Sequence, residues 1–181
     1  MLFWRRGLLV LLAAVWAAGL GWAWWWFDGY HNRTFERPAH FAAANVAAPF
    51  APGQIQVVHV WQAGCPCNAG HEAYIAEMTR RFSAQGVRFA RSGSLVARQG
   101  TALAQLPHWP LPQAWSDWPG GPSLAIWDAQ GNLAYAGPYS DGASCNSDSS
   151  FVEPVLRALL ADRPVNITRQ DTVACLCELA E

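Results

Sequence analysis

Five cysteines, at positions 65, 67, 145, 175 and 177, carry most of the chemistry this chain of 181 residues has to offer. Two intervals are identical: Cys65-Pro66-Cys67 and Cys175-Leu176-Cys177 each leave one residue between the sulfurs. Thiolates are strong nucleophiles and soft metal ligands, so the pattern points to thiol–disulfide exchange or to binding of a thiophilic ion. A bridge between residues i and i+2 needs Cα atoms closer than an extended chain places them. A Cys65–Cys67 disulfide bent by Pro66 is therefore expected to be strained and easily reduced. That reactive dithiol is the leading expectation, with inert structural thiols as the bland one. Because five is odd, at least one cysteine is free or pairs between molecules.

A metal reading competes. Cys65, Cys67 and His71 follow a C-x-C-x3-H pattern, and Cys175 with Cys177 adds two sulfur donors suited to Cu(I) or Zn(II). Otherwise His71 is an exposed residue in the first turn of a helix. Other chemistries are excluded more firmly. All 12 basic residues are Arg, which removes a P-loop lysine and Schiff-base catalysis. A net charge of −1 denies the basic footprint of a nucleic-acid binder. With 52% hydrophobic and 14% charged residues, the chain is not a disordered one.

The elements that must position the cysteines are legible in part. Ile55 to Trp61 (IQVVHVW) is β-branched and apolar on both faces, as in a central covered strand. The loop 62–67 leads from it into a helix that starts between Cys65 and Asn68. Ile75, Met78, Thr79 and Phe82 form that helix's inner face, Glu77 and Arg81 pair outside, and Gly86 ends it. A cysteine at such a junction feels the helix's partial positive charge, which favours thiolate. Val87 to Ala90 is a second strand, and Leu95 to Leu106 is expected to be helical. The stretch 107–122, with Trp109, Trp115, Trp118 and five prolines, is an irregular loop. It either walls a groove for an extended protein substrate or packs on the domain. Ser123 to Trp127 and Leu133 to Ala136 flank a turn and form a hairpin, and Phe151 to Leu160 is a helix. This order implies an α/β fold with a mixed sheet and helices on both faces.

At this point residues 53–162 resemble the thioredoxin-like superfamily: strand, Trp, Cys motif, helix, then Gly121-Pro122 before a hairpin and a last helix. The resemblance implies that Cys65 is the nucleophile, that Cys67 resolves the mixed disulfide, and that Pro122 is the cis-proline beside the active site. Two departures stand out. The cysteines are one residue apart instead of two, with Asn68 at the usual resolving position. His59 replaces a buried acid, so it either exchanges protons with the resolving thiol or is a hydrogen-bonded core histidine. Cys145, after the hairpin, is expected to return toward the Cys65 loop, as a third resolving thiol or as a plain loop cysteine. Residues 163–174 are long enough, at about 40 Å extended, to bring Cys175 and Cys177 back as a second thiol pair that shuttles electrons.

The amino-terminal part has a separate meaning. Gly7 to Phe27 runs 21 residues without a charge, and six of the 11 Trp lie in the first 26 residues. As a helix it spans about 31 Å, the hydrocarbon thickness of a bilayer. Arg5 and Arg6 precede it, and Trp24-Trp25-Trp26 crowd its far end at the headgroup level. A cleaved signal peptide would have a shorter core and a small-residue cleavage site. The expected organisation is a cytoplasmic head and anchor (1–27), a linker (28–52), a thioredoxin-like domain (53–162) and a C-terminal extension (163–181). The whole resembles an uncharacterised family of bacterial membrane-anchored thioredoxin-like proteins with a Gly-Cys-Pro-Cys-Asn loop. It implies a single-pass inner-membrane protein facing the periplasm and acting on protein thiols or disulfides with a redox partner protein. The alternatives are a copper or zinc binding module and a non-catalytic interaction domain on the same fold.

Overall fold

The computed structural model describes residues 2–35, 46–94, 101–115, 118–165 and 172–179. Its centre is a four-stranded mixed sheet in the order β3-β2-β4-β5, with β2 at Gln56–Val60, β3 at Arg88–Ser92, β4 at Ser123–Trp127 and β5 at Leu133–Pro138. β2 and β3 are parallel, while β2–β4 and β4–β5 are antiparallel. The single parallel pair is joined by helix α2 (Glu72–Ser83), the crossover such a pair requires. The β4–β5 hairpin turns where Asp128 accepts backbone N–H bonds from Gln130 and Asn132.

Side chains alternate along the strands into two separate cores, because successive residues of a strand face opposite ways. Val57, Leu124, Ile126 and Tyr135 face α2 and helix α3 (Val152–Leu160), which supply Ile75, Met78, Phe82, Val155 and Leu156. Val58, Val60, Ala125 and Trp127 face the other way, onto Trp115, Trp118 and Leu176. The Trp-rich stretch therefore packs as an aromatic layer, with Trp115 stacked on Trp127 and Trp109 edge-on to both. Of the two roles expected for it, its described residues play the packing one.

Several local expectations are corrected. The helix after the cysteine loop begins at Glu72, because Pro66–Gly70 forms a 3₁₀ turn first. Arg81 pairs with the fully buried Glu153 of α3 and not with Glu77, which pairs with Arg80. Arg157 also holds Glu153, at 2.7 Å, so two guanidinium groups offset the desolvation of one carboxylate. Within the helix expected at 95–106, residues 102–105 form a 3₁₀ turn, and residues 95–100 lie outside the described residues.

The stretch expected as a linker is partly woven into the fold. Helix α1 runs through Leu2–His31, past the expected end at Phe27, and passes directly into β1 (Asn32–Phe35). Strand β1 pairs antiparallel with β6 (Thr172–Cys175), a strand near the carboxyl end, matching Asn32 to Cys175. Residues 50 and 51 are held by the Gln56 side chain, and the Trp127 indole donates to the Val46 carbonyl at 3.0 Å. The helix segment Trp4–His31 is long and apolar enough to cross a membrane, with mean hydropathy 1.8 and none of its apolar window buried.

Candidate active site

The end of β2 delivers the cysteine loop. Beyond Val60 the chain stays stitched to the end of β3, with Trp61 N–H donating to the Ser92 carbonyl and Ala63 N–H to that of Ser94, both at 3.0 Å. Gly64 then takes a positive φ of 74°, a conformation that glycine adopts without steric cost. Asn68 closes the loop: its side-chain amide donates to the Gln62 carbonyl at 2.8 Å, and its backbone N–H to the Cys65 carbonyl at 3.1 Å. Cys65 and Cys67 are thereby fixed on the surface that receives the strand near the carboxyl end.

That strand brings the second C-x-C pair onto the first. Cys65 is bonded to Cys177 and Cys67 to Cys175, with Cα separations of 5.9 and 5.6 Å. The pairs are nested, as two antiparallel segments demand. The leading expectation, a disulfide within Cys65-Pro66-Cys67, is not what the structure holds. The one-residue spacing has another physical meaning. In an extended strand it places two side chains on the same face, so Cys175 and Cys177 both meet the loop while Leu176 points away. Leu176 is fully buried among the tryptophans, a contact worth about 2 kcal/mol in hydrophobic burial.

The peptide bond Gly121-Pro122 is cis, and the segment before it lies against this cluster. Cys65 Sγ is 3.6 Å from the Gly121 carbonyl oxygen. Gly121 and Cys177 exchange two backbone hydrogen bonds, of 2.9 Å from the Gly121 N–H and 2.8 Å from the Cys177 N–H. A Cβ at Gly120, whose φ is 145°, would collide with the Cys177 carbonyl, so the close approach depends on glycine there.

His31 was missed by sequence reasoning. It is the last residue of α1; its carbonyl accepts from the Leu176 N–H at 2.9 Å, and its Nδ1 lies 3.7 Å from Cys177 Sγ. Together with Cys67 it forms a group whose ligand atoms all lie within 4.8 Å of one another. No local pattern marks His31, because its approach to Cys177 crosses 146 residues of chain.

The other candidates lie elsewhere. His71, expected as an exposed residue or a ligand beside Cys65 and Cys67, is buried; its Nδ1 meets the Cys67 carbonyl oxygen at 2.9 Å, and its ring packs against Tyr139. Burial lowers its pKa, and the bond to the Cys67 carbonyl opposes that shift. His59 is fully buried with both ring nitrogens engaged, by Tyr139 Oη at 2.5 Å and Thr79 Oγ1 at 3.1 Å. Burial pushes its pKa down to about 3, so it is a neutral core histidine near neutral pH. The Cys145 N–H donates to the Gly70 carbonyl at 3.1 Å, so its backbone does reach the end of the cysteine loop. Its thiol, however, turns into the core and contacts the Tyr139 carbonyl at 3.6 Å. It is the free cysteine, outside the four-sulfur cluster, and burial raises its pKa.

The sheet order, the crossover helix between β2 and β3, the cysteine loop beyond β2 and the cis-proline ahead of β4 together define a thioredoxin-like fold. The chain belongs to the family described as Domain of unknown function (DUF6436), whose model matches residues 37–179. No curated protein matches this chain. Among solved structures, an uncharacterized conserved protein from Geobacillus kaustophilus is 17% identical, with a TM-score of 0.51 over 71% of this chain and 79% of that one. A hypothetical protein from Sinorhizobium meliloti is 13% identical, covering 83% of this chain and 92% of that one with a TM-score of 0.49. A thiol:disulfide interchange protein of the thioredoxin family from Chlorobium tepidum is 14% identical, covering 72% and 96% with a TM-score of 0.43.

Proposed function

We propose that this protein is a membrane-anchored thiol–disulfide oxidoreductase that exchanges disulfides with protein substrates through Cys65. The observation that carries the reading is the Cys65 disulfide lying against Gly121, the residue before cis-Pro122, at the end of the central strand. There a sulfur, an extended backbone and a cis-proline meet, which is what holding a cysteine-bearing peptide for exchange requires. Oxidised, the cluster stores two disulfides; a substrate dithiol reduces one of them and leaves as a disulfide, and a redox partner protein restores the starting state. Helix α1 serves as the anchor. The arginines before the span favour a cytoplasmic amino terminus, and two disulfides suit the oxidising periplasm. Since His31 ends α1 and touches Cys177, exchange takes place close to the membrane surface.

The test uses the oxidised full chain in detergent micelles with a peptide dithiol, following loss of free thiols. Cys65→Ser is expected to slow peptide oxidation at least 100-fold. Unchanged exchange in that variant removes Cys65 from the mechanism.

One observation favours a second reading, a Cu(I) or Zn(II) module: His31, Cys67 and Cys177 present their ligand atoms within 4.8 Å. Both disulfides must be reduced before these sulfurs bind a metal. Elemental analysis of the reduced full chain after exposure to each metal and desalting is the check. One equivalent retained, and lost in Cys67→Ser, supports metal handling; no retained metal disposes of it.

A further inference from the structure

The four clustered cysteines are not equally open to a partner. Cys65, Cys67 and Cys175 are 6%, 2% and 1% exposed, whereas Cys177 is half-buried. The extended segment that carries Cys177, just beyond β6, pairs with Gly121, the residue before cis-Pro122. Its backbone already uses both hydrogen-bonding groups of Gly121, and Leu176 is anchored beneath. While it is docked, no outside peptide can pair with Gly121. An external thiolate also needs access to the sulfur it attacks, and of the two residues joined by the Cys65–Cys177 bond, Cys177 is the more exposed.

Building on the exchange reading, we propose that Cys175-Leu176-Cys177 is a built-in first substrate, and that external protein thiols react at Cys177 before any sulfur of the Cys65 loop. The substrate thiolate attacks Cys177 Sγ, a substrate–Cys177 disulfide forms, and the Cys65–Cys177 bond breaks with Cys65 leaving as thiolate. A second substrate thiol then attacks the substrate sulfur of that mixed disulfide. The substrate leaves as a disulfide, and Cys177 is released as thiolate. Two electrons pass from the substrate dithiol to the Cys65–Cys177 pair, and the two protons of the substrate thiols end on those cysteines or in water. Through this step the Cys67–Cys175 bond keeps the strand tethered, so Cys177 carries substrate without leaving the site.

The oxidised full chain in detergent micelles is pulsed with glutathione as a monothiol probe, quenched with acid at successive short times, alkylated and mapped by mass spectrometry. The expected earliest product carries glutathione on Cys177 and the alkyl group on Cys65, in at least tenfold excess over the reverse. Glutathione first on Cys65, Cys67 or Cys175 overturns the proposal while leaving thiol exchange standing. No adduct on any of the four, with no oxidation of a peptide dithiol, overturns the exchange reading as well. Cys177→Ser supplies the second arm. Peptide-dithiol oxidation is expected to fall at least 100-fold, and a rate within threefold of wild type overturns the proposal.

Discussion

The four-sulfur cluster and the buried core around Cys145 are both rich in groups capable of chemistry, yet they are built in opposite ways. The cluster joins a loop at the end of β2 to a strand near the carboxyl end, across 112 and 108 residues of chain. Its members are held by bonds that thiols can exchange. The core around Cys145 holds Tyr74, Tyr135 and Tyr139 together with residues of α2 and α3, and the buried His59 and His71 pack on Tyr139. There burial holds the groups neutral: it raises the tyrosine and cysteine pKa values and lowers those of the histidines. Cys145 is no more buried than Cys65, so what separates the regions is the partner the fold supplies: a second sulfur in the cluster, and backbone carbonyls and aromatic rings around Cys145.

The largest expected difference between the two regions is in stability. In the chain-entropy account, closing a loop of about 100 residues stabilises the folded state by about 4–5 kcal/mol. The two disulfides close nearly the same loop, so the second adds little once the first exists. Reducing both is expected to cost about 4–5 kcal/mol in denaturant unfolding, whereas replacing Cys67 and Cys175 together by Ala, which leaves Cys65–Cys177, costs far less. Equal losses in the two experiments would break the nested-loop account. Cys145→Ala is the control from the other region. It removes one buried sulfur, costs about 1 kcal/mol and leaves exchange unchanged. A tenfold loss of exchange in that variant would erase the contrast between the regions.

Acid probes the core around Cys145 next. His59 takes up a proton only near pH 3 when folded but near 6.5 when unfolded. Between those values the unfolded chain binds one proton more, so stability falls as pH falls, by about 1.4 kcal/mol per pH unit once well below 6.5. The downward shift at His71 acts in the same direction. Unfolding free energies measured from pH 7.5 to 4.5 are expected to show this slope, and His59→Gln to make it shallower by up to one proton. An identical slope in His59→Gln would mean that the imidazole is charged inside the fold.

How much of this was legible in the sequence follows from the range of the forces involved. β2 and β4 were readable because both their faces are covered, which leaves nearly continuous apolar runs at Ile55–Trp61 and Ser123–Trp127. The helix Val152–Leu160 was readable from its 3.6-residue period. The cysteine loop was readable from its place after β2, and the Gly121-Pro122 position only through the thioredoxin-like resemblance. The partners were not. The disulfide pairing, the contact of His31 with Cys177 and the β1–β6 ladder each depend on where distant segments meet. The clue that was present concerns spacing: one residue between cysteines is awkward for a bridge inside the loop but natural for two sulfurs on one face of a strand. Two such motifs in one chain are matched in reach as well as in number.

The smallest expected effect is also the most pointed, because it touches the cluster without altering a sulfur. Gly120 lets the Cys177 carbonyl approach the segment before cis-Pro122, and a Cβ there collides with that carbonyl. Gly120→Ala also strains its own backbone at a φ of 145°, but that cost is paid whether or not the strand is docked. The collision is felt only while Cys177 is held against Gly121, and reduction of the Cys65–Cys177 bond frees the strand to relieve it. About 1 kcal/mol of such selective destabilisation corresponds to roughly a fivefold change in an equilibrium. Titrating wild type and Gly120→Ala against a dithiol buffer, with alkylated Cys65 counted by mass spectrometry, should show the variant reduced at about one-fifth of the reductant ratio. Matching titration curves would mean that the strand stays docked after its disulfide opens, so that backbone pairing and Leu176 burial, and not the sulfurs, keep this cluster closed.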